Sequence, residues 1–280
     1  MGFTVLAPTT SLSLLVDTIW DWDMPRQPHQ YERILPSACS QLIVNLAEDE
    51  TRVYDDMLGC RRFAGAAFDA PSHRSFVIDT AEQVSVMGVV FKPGGAAPLF
   101  RERMDLLCND HVDLDALAGG AMHSRQLLRG LRQRLLDADG ATSRLQVMQA
   151  WLLRQAGTAQ PDAAVAHALR MFDDMMFDGR PQVQRIGTIA AHCRLSPRRF
   201  GALFREQVGM SPKRYARLQR FRRLVAQAHQ GPSVDWAGLA ADCGFHDQPH
   251  LVHEFRAFSG LTPTAWLAMR GPHANHIPMG

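Results

Sequence analysis

"IAAHCRLSPRRFGALFREQVGMSP" (residues 189–212) and "LAADCGFHDQPHLVHEFRAFSGLTP" (residues 239–263) are two versions of one pattern. Residues 189–195 align with 239–245 at an offset of 50. After one extra residue in the second copy, 196–212 align with 247–263 at an offset of 51. Matching positions have matching physical roles. Ala190-Ala191 and Ala240-Ala241 keep a first helix slim where a second crosses it, and Cys193 and Cys243 fall on its buried side. Ser196 and Asp247 have the short polar side chains that cap a second helix. That helix has the core stripe Phe200, Leu203 and Phe204 in one copy and Leu251, Glu254 and Phe255 in the other. Gly209 and Gly260 stop it, and Ser211-Pro212 and Thr262-Pro263 cap and start the next. Helix, short turn and second helix with a solvent-facing side make the helix-turn-helix plan, present twice.

Between the copies lies "PKRYARLQRFRRLVAQAHQ" (212–230), a helix with Tyr215, Leu218, Phe221 and Leu224 turned inward. About 17 helical residues span roughly 25 Å, compatible with two helices entering major grooves about 34 Å apart. The net charge of +2 conceals a division. Residues 181–231 carry 11 Lys and Arg against Glu206 alone, whereas residues 1–180 carry 17 basic and 23 acidic groups. An acidic front joined to a basic back points the back at a polyanion. Residues 232–280 are slightly acidic, so the first unit is expected to anchor the protein and the second to add selectivity.

Residues 162–271 resemble the double helix-turn-helix DNA-binding domain of AraC/XylS-type transcription regulators. "IAAHCRLSPRRFGALFREQVGMSPKRY", "GFHDQPHLVHEFRAFSGLTPTAW" and their spacing carry the likeness. Opposite the two core stripes lie Arg198, Gly201, Ala202 and Arg205 on the first recognition helix, and Pro249, Val252, His253 and Arg256 on the second. The resemblance implies base contacts from these faces. Ser196, Arg199, Lys213, Arg214, Arg217, His246, Gln248 and His250 complete the DNA-proximal set. Gly201 and Ala202 lack a side-chain donor where family members often place a polar or basic residue. Phosphate contacts and DNA shape are then expected to supply part of the selectivity. Three histidines within eight positions (His246, His250, His253) suggest a metal at first sight. On the helix they only partly share a face, and they read as DNA-proximal side chains; no metal or cofactor is expected.

The front is β-rich between residues 31 and 100: "QLIVNL" (41–46), "SFVID" (75–79) and "VSVMGVVF" (84–91) are short strands punctuated by turns such as "KPGGAAP". They suggest a small barrel or sandwich. "YERILPSACSQLIVNL" and "GVVFKPGGAAPLF" resemble the uncharacterised amino-terminal domain of one branch of these regulators, with Ser37-Ala38 where that branch carries Asp-Gly. From Ser124 the period is helical, with stripes Leu128, Leu131, Leu135 and Leu145, Met148, Trp151, Leu152. The second stripe reads as an intramolecular core, with a subunit contact as the other option. Trp20, Trp22 and Phe91 read as core, with an effector-pocket lining as the alternative.

The expected fold is α+β: a β-rich barrel or sandwich with accessory helices, then an all-α domain of two helix-turn-helix units on a linker helix. Its parts are a β-rich effector domain (1–123), a helical hairpin and dimerisation element (124–160), the double helix-turn-helix domain (162–271) and a tail (272–280). Five scattered cysteines, never spaced C-x-x-C, fit a reducing cytoplasm rather than a disulfide framework. No membrane-spanning window and no signal peptide are read. The function expected is sequence-specific transcription regulation, with double-stranded DNA, a small-molecule effector, a second copy and, for an activator, RNA polymerase as partners. Two alternatives stay open: a metal-responsive regulator using His29, His73 or His111, and an enzyme in a cupin-like barrel. The second lacks H-x-H, G-x-S-x-G and H-E-x-x-H.

Overall fold

The computed structural model describes residues 2–117, 130–177 (side chains to 174), 186–231 and 233–279. Leu128 and the join proposed at 123/124 lie outside them. The front unit is built on two antiparallel sheets. The larger has the order β1-β2-β9-β4-β7-β10, from β1 (Gly2–Leu6), β2 (Val16–Asp23), β4 (Gln41–Asn45), β7 (Ala66–Asp69), β9 (Ser85–Phe91) and β10 (His111–Asp113). The smaller has the order β11-β3-β8-β5-β6, from β3 (Tyr31–Ile34), β5 (Glu50–Tyr54), β6 (Cys60–Ala64), β8 (Phe76–Asp79) and β11 (His276–Met279).

Alternation sorts each strand into two faces. On the larger sheet Ile19, Leu42, Val44, Phe68, Met87, Val89 and Phe91 point to one side and are fully buried. They form a core with α1 (Ala96–Phe100), α3 (Leu131–Leu136) and α4 (Gly140–Ala156). The Leu145, Met148, Trp151 and Leu152 stripe is spent there, on the chain's own sheet, and so is Phe91. Arg144 fixes α4 to β2 with a bidentate pair: Nε and Nη2 donate to Asp21 at 2.6 and 2.9 Å. The other face, carrying Trp20, Ile43 and Asp69, looks toward the smaller sheet.

The Lys92–Gly95 turn leads directly into α1. A side chain at Gly95 would reach within 2.1 Å of the Leu15 carbonyl oxygen, so only glycine lets these backbones meet.

The second core belongs to the helical unit: α5 (Ala163–Phe177), α6 (Ile186–His192), α7 (Pro197–Val208), α8 (Pro212–His229), α9 (Trp236–Asp242), α10 (Gln248–Ser259) and α11 (Pro263–Met269). It also takes in Leu35 and Ala38 from the front unit and Ile277 from the end of the chain. Ala38, in the turn that departs from the related branch, is thus buried between the units. The tail is not loose. As β11 it adds an edge strand to the front sheet, Ile277 opposite Arg33 and Pro278 opposite Glu32. His276 and His29 both donate to Glu32 at 2.7 Å. Burial pushes the Glu32 carboxyl up, but these bonds and charges more than offset it and hold it low. All five cysteines are free.

Candidate nucleic-acid interface

Each recognition helix is twelve residues long and starts and stops by the same devices. Ser196 Oγ accepts from the Arg199 backbone N–H, and Asp247 Oδ1 from that of His250. Pro197 and Pro249 sit in the first turns. Gly209 and Gly260 end the helices in the left-handed region, at φ 85° and 74°, where a side chain would be strained. The short turns before α7 and α10 pivot on Arg194 and Gly244, both left-handed, at φ 56° and 72°.

Aromatic packing holds each helix in place. Phe204 meets Phe172, Phe200 and Tyr215, with ring centroids 5.5–5.9 Å apart. Phe255 meets Phe221, Trp236 and Trp266 at 5.2–6.2 Å. With the stripes buried, the opposite faces are presented outward. Arg198, Arg205, Pro249, His253 and Arg256 are exposed, and Gly201, Ala202 and Val252 half-exposed. A side chain at Gly201 would meet only the end of Arg205, at 3.7 Å, so the outward surface of α7 is shallow at its centre and cationic at both ends. Ser196, Arg199, Lys213, His246 and Gln248 are exposed around these faces.

Besides the capping Ser196, four members of the predicted set have side chains engaged within the chain, one of them His246, whose Nδ1 lies 3.1 Å from the Asp247 carboxylate. Arg217 donates twice to Glu254, at 2.6 and 2.7 Å, joining α8 to α10. Burial raises the Glu254 carboxyl, yet the Arg217 bonds and charge dominate and hold it below the usual range. The ring of His250 lies 5.7 Å from Phe245, and its Nδ1 accepts from the His246 backbone N–H. It braces the turn. Arg214, exposed, donates to His73 of the front unit at 2.9 Å. A glutamate inside an apolar stripe was the signal that Arg217 had an internal partner. Arg220, over the Phe245 ring at 5.5 Å, had no such signal. Arg217→Ala leaves Glu254 buried without its cation, and we expect a loss of about 2–3 kcal/mol, discounted for the partial exposure of Arg217. Denaturant unfolding followed by helical circular dichroism measures it.

The front unit touches the first recognition helix. α2 (Met104–Leu107) underlies the end of α7: a side chain at Gly209 would come within 3.2 Å of the Met104 carbonyl oxygen and the Pro71 ring. Arg205 lies close enough to contribute to holding the Asp105 carboxyl low, after the larger effect of Arg103. Among the described residues no group of three or more His, Cys, Asp or Glu is placed to hold a metal ion. His29, His73 and His111 have separate partners in Glu32, Arg214 and Asn109, and Asp69 respectively. No helix among them is long and apolar enough to cross a membrane.

Two capped, outward-facing recognition helices on a basic linker define a DNA-binding transcriptional regulator. Residues 189–269 match the helix-turn-helix domain family HTH_18, and residues 4–113 match a domain of unknown function, DUF6597. Among solved structures, ToxT from Vibrio cholerae O395 superposes with a TM-score of 0.47 at 9% identity, covering 97% of this chain and 99% of that one. Unsaturated-fatty-acid-bound ToxT from strain SCE256 gives 0.44 at 10%, covering 95% of each chain. An AraC-type regulator from Chromobacterium violaceum gives 0.33 at 24%, covering 39% of this chain and all of the other. No match is found among curated proteins.

Proposed function

We propose that the protein reads an operator by placing α7 and α10 in successive major grooves, under control of the front unit. The observation that carries this reading is the pair of identically capped twelve-residue helices on one 18-residue linker helix, about 27 Å long. Arg198 and Arg205 have the fork that guanine accepts, Ala202 and Val252 can lie against thymine methyls, and Lys213 and Arg199 are free to meet phosphates. His253 and Arg256 give the second helix fewer charges, so the first unit supplies most of the electrostatic affinity. Anisotropy of a labelled operator across salt tests the division. Lys213→Ala should lower the salt slope by about one without changing sequence preference.

The front unit is proposed to act through three contacts: α2 under α7, Arg214 on His73, and the tail strand β11 beside β3. A small molecule that binds the front unit differently in two arrangements of these contacts would switch DNA binding. Asp105 beside Arg205 is an acidic group at the edge of the reading surface, unfavourable to an approaching phosphate. Asp105→Asn is expected to raise operator affinity about threefold at low salt, fading at high salt; an unchanged or weakened affinity would contradict this. RNA polymerase is the further partner if the protein activates. A second copy of the chain would have to use a surface other than the buried α4 stripe, and light scattering with and without operator decides whether it does.

A further inference from the structure

An open sheet edge presents a row of unpaired N–H and C=O groups, and proteins blunt such edges with charges, prolines, short strands or cover. The two front sheets have four edges, and three of them are blunted. β6 carries Arg61 and Arg62, both exposed. β10 is three residues long, and its Asp113 carboxylate accepts from the Ala64 backbone N–H of β6 at 2.6 Å. β11 contains Pro278, which has no N–H to offer, and buries Ile277 in the core of the helical unit. β1 has none of these devices. "GFTVL" holds no charge and no proline, and it pairs with β2 in unbroken register over all five residues. Among the described residues no strand and no backbone hydrogen bond lies on its outer side. Phe3 and Val5 are more than half exposed there.

The exposed side chains stand on a fixed base. The Phe3 ring meets Trp20 and Trp22, with centroids 6.5 and 5.9 Å away. Trp22 Nε1 donates to the Gln83 carbonyl at 2.7 Å, and Trp20 sits on Gly88, where a side chain would come within 2.4 Å of the indole. The free main-chain groups call for another strand, and the side chains say which. Antiparallel pairing of β1 with its own copy about Thr4 matches all five residues. Phe3 then stands opposite Val5 of the second copy, Gly2 opposite Leu6, and Thr4 opposite Thr4. On one face this makes two identical rows across the joint, each running Trp22, Phe3, Val5, Trp20. Aromatic beside β-branched is a favourable cross-strand pair. Charge also permits it. Residues 1–180 carry 17 basic and 23 acidic groups, so two copies repel over much of the front, but this edge is neutral. Asp21, opposite Thr4, is buried and bound to Arg144.

We propose that a second copy of this chain docks on the outer edge of β1, strand against strand, about a two-fold axis at Thr4, so that two six-stranded sheets become one. Five residues against five fall short of the about 1,200 Å² at the lower end of stable interfaces. The pair is therefore weak in free solution and gains when two copies share a duplex, where each raises the effective concentration of the other. A two-fold relation sets the two DNA-reading units in inverted orientation, so a cooperative operator carries its blocks as an inverted repeat. That last consequence rests on the reading that α7 and α10 bind DNA; the interface itself does not.

The test is sedimentation velocity of the full-length protein without DNA, from about 1 to 300 µM. Wild type should pass from monomer to dimer with a Kd on the order of 10–100 µM. Val5→Lys and Phe3→Glu each place a charge on the edge and should each weaken association about tenfold or more, with circular dichroism confirming that both are folded. An equimolar mixture of the two variants should dimerise again. The register sets position 3 of one copy opposite position 5 of the other, carboxylate against ammonium. A chain that stays monomeric throughout, a dimer undiminished in either folded variant, or a mixture no more associated than its components overturns the assignment. On a duplex with two inverted copies of the selected operator, wild type should bind cooperatively and Val5→Lys should not, their affinities for a single operator being equal. A chain that dimerises as described yet binds that duplex without cooperativity upholds the interface and removes its role on DNA. Absence of operator binding in every arm overturns the DNA reading alone, since sedimentation decides the interface without DNA.

Discussion

Replacing Arg198 and Arg205 together with alanine should weaken binding to the selected operator on the order of 100-fold or more, while binding to random duplex falls far less. Both side chains are exposed on the outward face of α7, a helix fixed by the Ser196 cap and the buried Phe200 and Phe204 rings. A bidentate arginine–guanine contact is worth about 1–3 kcal/mol of discrimination, and the two sites are a helical turn or more apart, so their effects should nearly add. Charge loss alone would weaken both duplexes alike. Arg198→Lys with Arg205→Lys separates the two causes, because lysine keeps the charge and loses the planar fork. We expect the lysine pair to keep the salt slope and lose preference for the operator. Equal losses on operator and random duplex in the alanine pair would show that these arginines only neutralise phosphate.

Arg144→Met should cost the front unit about 3–5 kcal/mol. Asp21 is 1% exposed, and both its carboxylate oxygens accept from the Arg144 guanidinium. Removing the cation strands a buried carboxylate between β2 and α4. The double variant Asp21→Leu with Arg144→Leu removes both charges and should recover most of the loss, since well-packed apolar residues commonly replace a buried pair at little cost. Thermal unfolding followed by near-ultraviolet circular dichroism, which senses Trp20, Trp22 and Trp151, measures both. An unchanged midpoint for Arg144→Met would mean that the pair contributes no net stability.

The helical unit was legible because its information is local. A cap, a proline, a period of 3.6 and a glycine stop lie within fifteen residues of each other, and repetition at offsets of 50 and 51 confirmed each one. The front unit was legible only in its central strands. β1 and β2 lie before the stretch read as β-rich: "GFTVL" leaves three of its five residues exposed, and "VDTIWDWD" interrupts its apolar residues with three aspartates. β11 was not readable at all: "HIPM" becomes a strand only because β3, more than 240 positions earlier, offers an edge. The outward-facing Arg198 and Arg205 could be placed by periodicity, and the glutamate in the second stripe was a signal for Arg217, but Arg214 had none, since its partner His73 comes from the front unit. Trp20 and Trp22 read as ordinary core from their hydrophobicity. Both stay partly exposed on the face of β2 opposite Ile19, a placement that depends on how the two sheets face each other and that no local pattern records.

Operator recognition of the proposed kind requires both helices, α7 and α10, to read DNA at once. Selection of bound duplexes from a random pool by the full-length protein, at two salt concentrations, is the direct test. We expect a motif of two blocks about 10 bp apart, the spacing of successive major-groove faces, with the stronger block assigned to α7 by its loss in the Arg198 and Arg205 variants. Salt-sensitive binding that enriches no motif, or a single block unaffected by changes in α10, would contradict it.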